Sequence, residues 1–138
     1  MKPQYSETIL TEVTLRYSDM DANAHLNNAV YSTLFEAGRV DYLNMILADL
    51  TPPDAGYVIV RIAIDFLAEA RYPGLAVIST RMARVGGSSM TYAQEVSIGG
   101  KVAARAESIC AMFDLKRRKA MRCPEIMRDR LRSLGATA

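Results

Sequence analysis

From Asn28 to Leu50 apolar side chains recur every three or four residues, and beyond Gly56 the repeat shortens to two. That change of period constrains the fold more than any other feature of the chain. Val30, Tyr31, Leu34, Phe35, Gly38, Tyr42, Leu43, Ile46, Leu47 and Leu50 make one stripe, which predicts an amphipathic helix of about five turns. Asn27 or Asn28 is its expected N-cap, and Thr51-Pro52-Pro53-Asp54-Ala55-Gly56 ends it. Gly38 lies on the apolar stripe, where it lowers helix propensity. Its expected use is close approach of the helix to a sheet.

The rest of the chain reads as strands. Residues 7–17 alternate Thr11, Val13, Leu15 and Tyr17 with Glu12, Thr14 and Arg16, the pattern of a half-buried strand. Tyr57 to Glu69 places Val58, Val60, Ile62, Ile64 and Phe66 on one face. Residues 74–85 follow a Tyr72-Pro73-Gly74 turn, 88–98 follow Gly86-Gly87, and 101–115 follow the hairpin signal Ile98-Gly99-Gly100. Pro124-Glu125 opens a short helix over 124–134, and the tail Gly135-Ala136-Thr137-Ala138 is expected to be disordered. Consecutive hairpin-linked strands pair antiparallel, and a lone helix with a wide apolar stripe must bury it on their sheet. The expected fold is therefore α+β: a curved antiparallel sheet wrapped around one long central helix, with a short C-terminal helix, in a single domain over 1–138.

Composition mainly excludes. A net charge of +2 on 138 residues does not point to nucleic acid. The basic run Lys116-Arg117-Arg118-Lys119, with Arg122, Arg128, Arg130 and Arg132 beyond it, reads as a solvated turn and helix face or as a phosphate contact. No apolar run approaches the ~20 residues of a membrane helix. Residues 1–10 lack a signal-peptide apolar region, so the cytoplasm is the expected location. Cys110 and Cys123 match neither a disulfide framework nor a metal motif, and Cys110 reads as a small core residue. No metal and no cofactor are expected.

One segment does not look structural. Tyr17-Ser18-Asp19-Met20-Asp21-Ala22-Asn23-Ala24-His25-Leu26-Asn27-Asn28 gathers two carboxylates, the only histidine and three asparagines just before the buried helix. Helix N-termini favour developing negative charge.

This segment and the element order resemble the hot-dog fold acyl-CoA thioesterases, the group that includes 4-hydroxybenzoyl-CoA thioesterase. That family's pattern is an aromatic residue, Asp-x-Asp, a short polar turn, His-hydrophobic-Asn-Asn, and a helix carrying an aromatic, a Glu and an Arg. Here Tyr17, Asp19, Asp21, His25, Leu26, Asn27, Asn28, Tyr31, Glu36 and Arg39 stand in those places. Position 24 departs from it, being alanine where many members have glycine. Asp21-x-Asn23-x-His25 with Asn27-Asn28 is also similar to the motif of plant acyl-ACP thioesterases. Hot-dog hydratases carry the histidine one position further on, which this spacing does not match.

The resemblance implies thioester hydrolysis. A thiol of ordinary pKa ~8.5 leaves without much help, so one carboxylate and an oxyanion site suffice. By resemblance Asp21 is that carboxylate, as nucleophile or as base for a water. Asp19 is expected to order the loop as a hydrogen-bond acceptor. His25 either orients the loop or touches substrate, and Asn23 positions a water or donates to the oxyanion. Asn27 and Asn28 are expected caps, with the first helical N–H groups as oxyanion donors. Glu36 is expected to pair with Arg39 or Arg16, and Tyr31 and Phe35 to be core residues, one of them bordering the acyl pocket. For coenzyme A the candidates are Arg84, Gly86, Gly87 and Ser88 at one turn and Lys116, Arg117 and Arg118 at another. The resemblance further implies a homodimer or homotetramer with sites completed across the interface. Acyl-CoA is the expected substrate, with acyl-ACP hydrolysis or a non-catalytic acyl-CoA binding module as alternatives.

Overall fold

A computed structural model describes residues 5–138. Strand β1 (Ile9–Thr14) is shorter than the alternation suggested, because a 3-10 turn at Tyr17–Asp19 takes its end. Helix α1 (Asn28–Tyr42) follows, capped by the Asn27 side chain accepting from Ala29 N. The stripe continues past it, but the last turns change form: Leu43–Leu47 is a π turn and Ala48–Leu50 a 3-10 turn. Then come β2 (Ala55–Phe66), β3 (Leu75–Val85), β4 (Ser89–Ile98), β5 (Lys101–Asp114) and a short β6 (Lys119–Ala120) that sequence patterning missed. Helix α2 (Glu125–Ser133) opens after Pro124 and ends the regular structure.

The strands form one antiparallel sheet in the order β1-β3-β4-β5-β2, with β6 beside β5. Hairpins join β3 to β4, β4 to β5 and β5 to β6. Gly99 and Gly100 turn the β4–β5 hairpin at φ +62° and +76°, backbone that glycine adopts without a Cβ clash. β2 pairs at the far edge with β5, not with β3, so residues 67–74 must cross the whole end of the sheet. That crossing becomes a wall of the site described below.

α1 lies across the inner face. Gly38 permits this: a Cβ there would stand 2.5 Å from Thr80 Oγ1 and 2.7 Å from Ile78 Cγ2. The N-terminal half of α1 packs Tyr31, Leu34 and Phe35 with Leu26, Ile78 and Val96. Its C-terminal half packs Tyr42, Ile46 and Leu47 with Met90, Met112 and the α2 residues Met127 and Leu131.

Two expectations are corrected. β2 carries a bulge between Ile59 and Arg61, which reverses the side-chain alternation. Tyr57 and Ile59 therefore share the inner face with Ile62, Ile64 and Phe66, because their partners Met112, Cys110, Ser108, Ala106 and Ala104 are all buried inside; Val58 and Val60 leave that set. The tail is ordered: Thr137 N donates to Ala83 O at 2.9 Å, Val85 N donates to Thr137 O at 2.8 Å, and Ala136 is buried. Among the described residues no helix is long and apolar enough to cross a membrane.

Candidate active site

The segment between β1 and α1 folds into a tight loop held almost wholly by its own polar atoms. Asp21 N donates to His25 O at 2.8 Å, and Ala24 N donates to Asp21 O at 3.1 Å. Ala24 takes φ +60°, a left-handed conformation that costs an alanine and suits a glycine. Glycine, which the resemblance leads one to expect at this place, would take that conformation without strain. Asp19 is buried, and its Oδ2 accepts from Arg16 N at 2.7 Å while Oδ1 accepts from the Arg16 guanidinium Nη2 at 2.8 Å. The Arg16 side chain holds the Asp19 carboxyl below the usual carboxylate range. Asn27 N in turn donates to Asp19 O at 2.9 Å, tying the loop to the helix start. Asp19 orders the loop.

Asp21 differs. Its Oδ1 accepts from the backbone amides of Asn23 at 2.8 Å and His25 at 3.2 Å, a turn-forming use typical of aspartate. Its Oδ2 has no hydrogen-bond partner among the described residues. The turn reading and the chemical reading thus take one oxygen each. Asp21, His25, Asn28 and Tyr31 line a pocket of about 290 Å³ with Phe66 to Ala70 of the crossing segment.

The helix start supplies one open donor. Ala29 N is taken by the Asn27 side chain at 3.0 Å and Val30 N by Asn27 O at 2.9 Å. Asn28 N donates to no acceptor among the described residues, and Asn28 lines the same pocket. Of the first-turn amides it is the one free to meet an oxyanion.

His25 is held from the crossing segment. Its Nε2 lies 3.2 Å from Arg71 Nη2 and 3.2 Å from Glu69 Oε2. Unprotonated, that nitrogen accepts from arginine; protonated, it donates to glutamate. Either way the ring stays fixed against the pocket. Tyr31 is buried, stacks edge-on against Phe66 with centroids 5.4 Å apart, and borders the pocket as expected. Burial pushes its hydroxyl pKa up. The side chain of exposed Asn23 makes no hydrogen bond among the described residues.

Sequence reasoning did not assign Glu69, Arg71 and Phe66 to the site, because they lie some forty residues from the loop. It also expected Glu36 to pair with Arg39 or Arg16. Arg16 is committed to Asp19, and Arg39 turns into the sheet toward Gln94 Oε1 at 3.4 Å and Ser108 Oγ at 3.5 Å. Glu36 has no ion pair among the described residues.

The coenzyme candidates form a separate group. The Gly86–Ser88 turn and the Lys116–Arg118 turn both sit where β2 begins, whereas the Asp21 loop sits where β2 ends. Gly87 lies under a residue that sequence had not joined to it: a Cβ there would stand 3.1 Å from Arg122 Nη1. Arg84 forms a bridge with Thr137 of the ordered tail. Within one chain the two groups do not meet. Among the described residues no three histidine, cysteine, aspartate or glutamate side chains gather as metal ligands do.

One helix cradled by a curved antiparallel sheet, with a polar loop and a carboxylate ahead of the helix, is the arrangement of a hot-dog protein. A sequence model of the Thioesterase-like superfamily matches residues 15–131, and the chain belongs to that superfamily. It is 27% identical over 128 residues to the long-chain acyl-CoA thioesterase FadM of Escherichia coli, covering 90% of this chain and 97% of that one. It is 25% identical over 117 residues to the acyl-CoA thioesterase YbgC of Haemophilus influenzae, covering 82% and 86%. A predicted thioesterase from Bacillus stearothermophilus superposes with a TM-score of 0.84 at 27% identity, covering 95% of this chain and 98% of that chain. A thioesterase from Thermus thermophilus, solved with coenzyme A and zinc, does so at 0.76 and 27%, covering 91% and 92%.

Proposed function

We propose that this protein hydrolyses acyl-CoA thioesters, with Asp21 as the general base. The observation that carries the reading is the division of labour at Asp21: two amides fix Oδ1, Oδ2 has no partner among the described residues, and Asp21 lines one pocket with Asn28. In this reading Oδ2 takes a proton from a water, whose oxygen attacks the thioester carbon. The Asn28 N–H and the helix N-terminus stabilise the oxyanion. The C–S bond then breaks and the thiolate leaves, taking up a proton. In this reading His25 keeps the loop in place, and the exposed Asn23 side chain, without a hydrogen bond among the described residues, positions the water. FadM and YbgC support the acyl-CoA assignment by what they are named for.

The site is completed by a second copy. β2 is an unpaired edge that exposes Val58, Ile59, Val60 and Ile62, and such an edge invites strand pairing. Antiparallel pairing of two β2 strands would set the start of one beside the end of the other. That carries one chain's Lys116–Arg118 and Gly86–Ser88 turns, with Arg84 nearby, toward the other's Asp21 loop, where they would meet the coenzyme phosphates. The unit is a homodimer, or a homotetramer built from it, with residues 1–138 acting as one domain. A cytoplasmic setting belongs to this reading, and the free Cys110 and Cys123 accord with it.

Asp21→Asn tests the role of the carboxylate. Across a panel of acyl-CoA thioesters kcat is expected to fall at least ~100-fold with the fold retained; undiminished hydrolysis would remove Asp21 from the mechanism. In ¹⁸O water with enzyme in excess, the base route puts solvent oxygen directly into the acid product. Label appearing first in Asp21 would establish the nucleophile route instead. The same acyl groups presented on an acyl carrier protein decide between carriers.

A further inference from the structure

The pocket at Asp21 and a separate groove both lie between α1 and β2, one toward each end of the helix. The two elements run antiparallel, and their facing sides carry Tyr31 and then Arg39 on the helix, and Phe66, Ile64, Ile62 and Ile59 on the strand. The groove, toward the C-terminal end of α1, measures about 170 Å³ and is lined by Glu36, Arg39, Leu43, Ile59, Tyr92 and Cys110, among others. Leu43, on its wall, begins the π turn, a helix irregularity that recurs at functional sites.

The groove holds two polar groups that the described residues satisfy poorly, a guanidinium on two long neutral hydrogen bonds and a hydroxyl with none. Arg39 is only 9% exposed, yet no carboxylate among the described residues lies within ion-pair distance. Its acceptors, Gln94 Oε1 at 3.4 Å and Ser108 Oγ at 3.5 Å, are neutral and distant. Gln94 is held elsewhere, donating to Phe35 O and Thr80 Oγ1, both at 2.9 Å. The Tyr92 hydroxyl, on a side chain 1% exposed, has no hydrogen-bond partner. A buried guanidinium without a counter-ion and a buried hydroxyl without a partner are each unfavourable unless something else completes them.

We infer that the groove recognises an oxygen-bearing end of the acyl chain, a carboxylate above all, through the Arg39 guanidinium and the Tyr92 hydroxyl. This rests on the reading that Asp21 cleaves the thioester at the N-terminal end of α1, with the acyl chain lying along the helix between the two sites. Guanidinium and carboxylate match in charge and fork geometry, and the intervening apolar strand residues suit a methylene chain. Arg39 is eleven residues beyond Asn28, about 16 Å along the helix at ~1.5 Å per residue. An extended chain advances about 3.3–3.6 Å per three bonds, so about fourteen bonds separate the thioester carbon from the terminal group. Glu36 on the rim is exposed and unpaired; its charge weakens a bound carboxylate without occupying the guanidinium.

The test compares two CoA thioesters of that length, one ending in methyl and one in carboxylate. Wild type is expected to prefer the ω-carboxy ester by about tenfold or more in kcat/KM. Arg39→Met should abolish or reverse the preference, and Glu36→Gln should widen it. Tyr92→Phe removes only the unpartnered hydroxyl, keeps the ring and folds, and should narrow the preference severalfold. Short-chain esters, whose ends cannot reach the groove, should show none. Equal kcat/KM for the two long esters, or a ratio unmoved in both Arg39→Met and Tyr92→Phe, overturns the inference. Calorimetric binding of the free α,ω-diacid against the monoacid of equal length gives a readout without turnover. If wild type cleaves neither ester, the hydrolase reading fails, and diacid binding still decides the groove.

Discussion

Two concavities on opposite faces of the sheet differ in kind, and the larger of the two is the less informative. On the outer face Arg61, Asp65, Arg81, Glu95, Arg105 and Glu107 surround a hollow of about 670 Å³. On the inner face the pocket at Asp21 has less than half that volume, about 290 Å³. The outer charges compensate one another in solvent: Arg105 Nε lies 2.7 Å from Glu95 Oε2, and Arg61 Nη1 3.7 Å from Glu107 Oε1. Such pairs add little stability and attract little else. The inner face keeps groups whose capacity is unspent: Asp21 Oδ2, the Asn28 amide, Arg39 and the Tyr92 hydroxyl. Chemistry is marked by unsatisfied, well-held groups, not by volume.

If that contrast holds, substitutions on the inner face should cost much more than those outside. The largest stability effect is expected at Gly38. Gly38→Ala would drive a Cβ against Thr80, Ile78 and Gln94, the first at 2.5 Å, forcing α1 off the sheet and costing about 2–3 kcal/mol. Urea titration measures this; a loss under ~0.5 kcal/mol would mean the helix slides freely over β3 and β4.

Asp19→Asn comes next. It should cost about 1–2 kcal/mol, discounted because the Arg16 partner is exposed. The pH dependence has a definite sign. A carboxyl whose folded pKa is lowered contributes stability above the ordinary value near ~4 and loses it as pH falls through the lower folded value. The wild-type advantage over Asp19→Asn should therefore be full at pH 6 and shrink below about pH 4. A gap that widens on acidification would mean another group carries the effect.

The smallest change is expected outside. Glu95→Gln with Arg105→Gln should move stability by no more than ~0.5 kcal/mol and leave thioester turnover unchanged. A drop in turnover would bring the outer hollow back as part of the site.

Much of this was legible in the sequence because it is local. The helix, its Asn27 cap, the Gly99-Gly100 hairpin and the close approach at Gly38 each follow from residues within a turn or two of one another. The loop motif was legible too, since Asp21 and His25 are brought together by the turn that the same few residues form. Cys110 proved as buried as its apolar run implied, and burial pushes its thiol up to about 11. What failed was non-local or depended on a single extra residue. The β2 bulge reversed a face that strict alternation had assigned. The tail, polar and glycine-led, looked free until Thr137 was seen pairing with β3.

By itself the sequence determined the kinds of element, their order and the polar loop ahead of α1, because periodicity and capping are written in neighbouring residues. Only the tertiary structure decided that β2 pairs with β5, that residues 67–74 cross to bring Glu69 and Arg71 to His25, and that Arg39 faces Gln94 and Ser108. The reason is physical. A strand's own pattern states that one face is buried but not which strand it pairs with, and a charge on a helix does not show whether its partner exists until the chain closes around it.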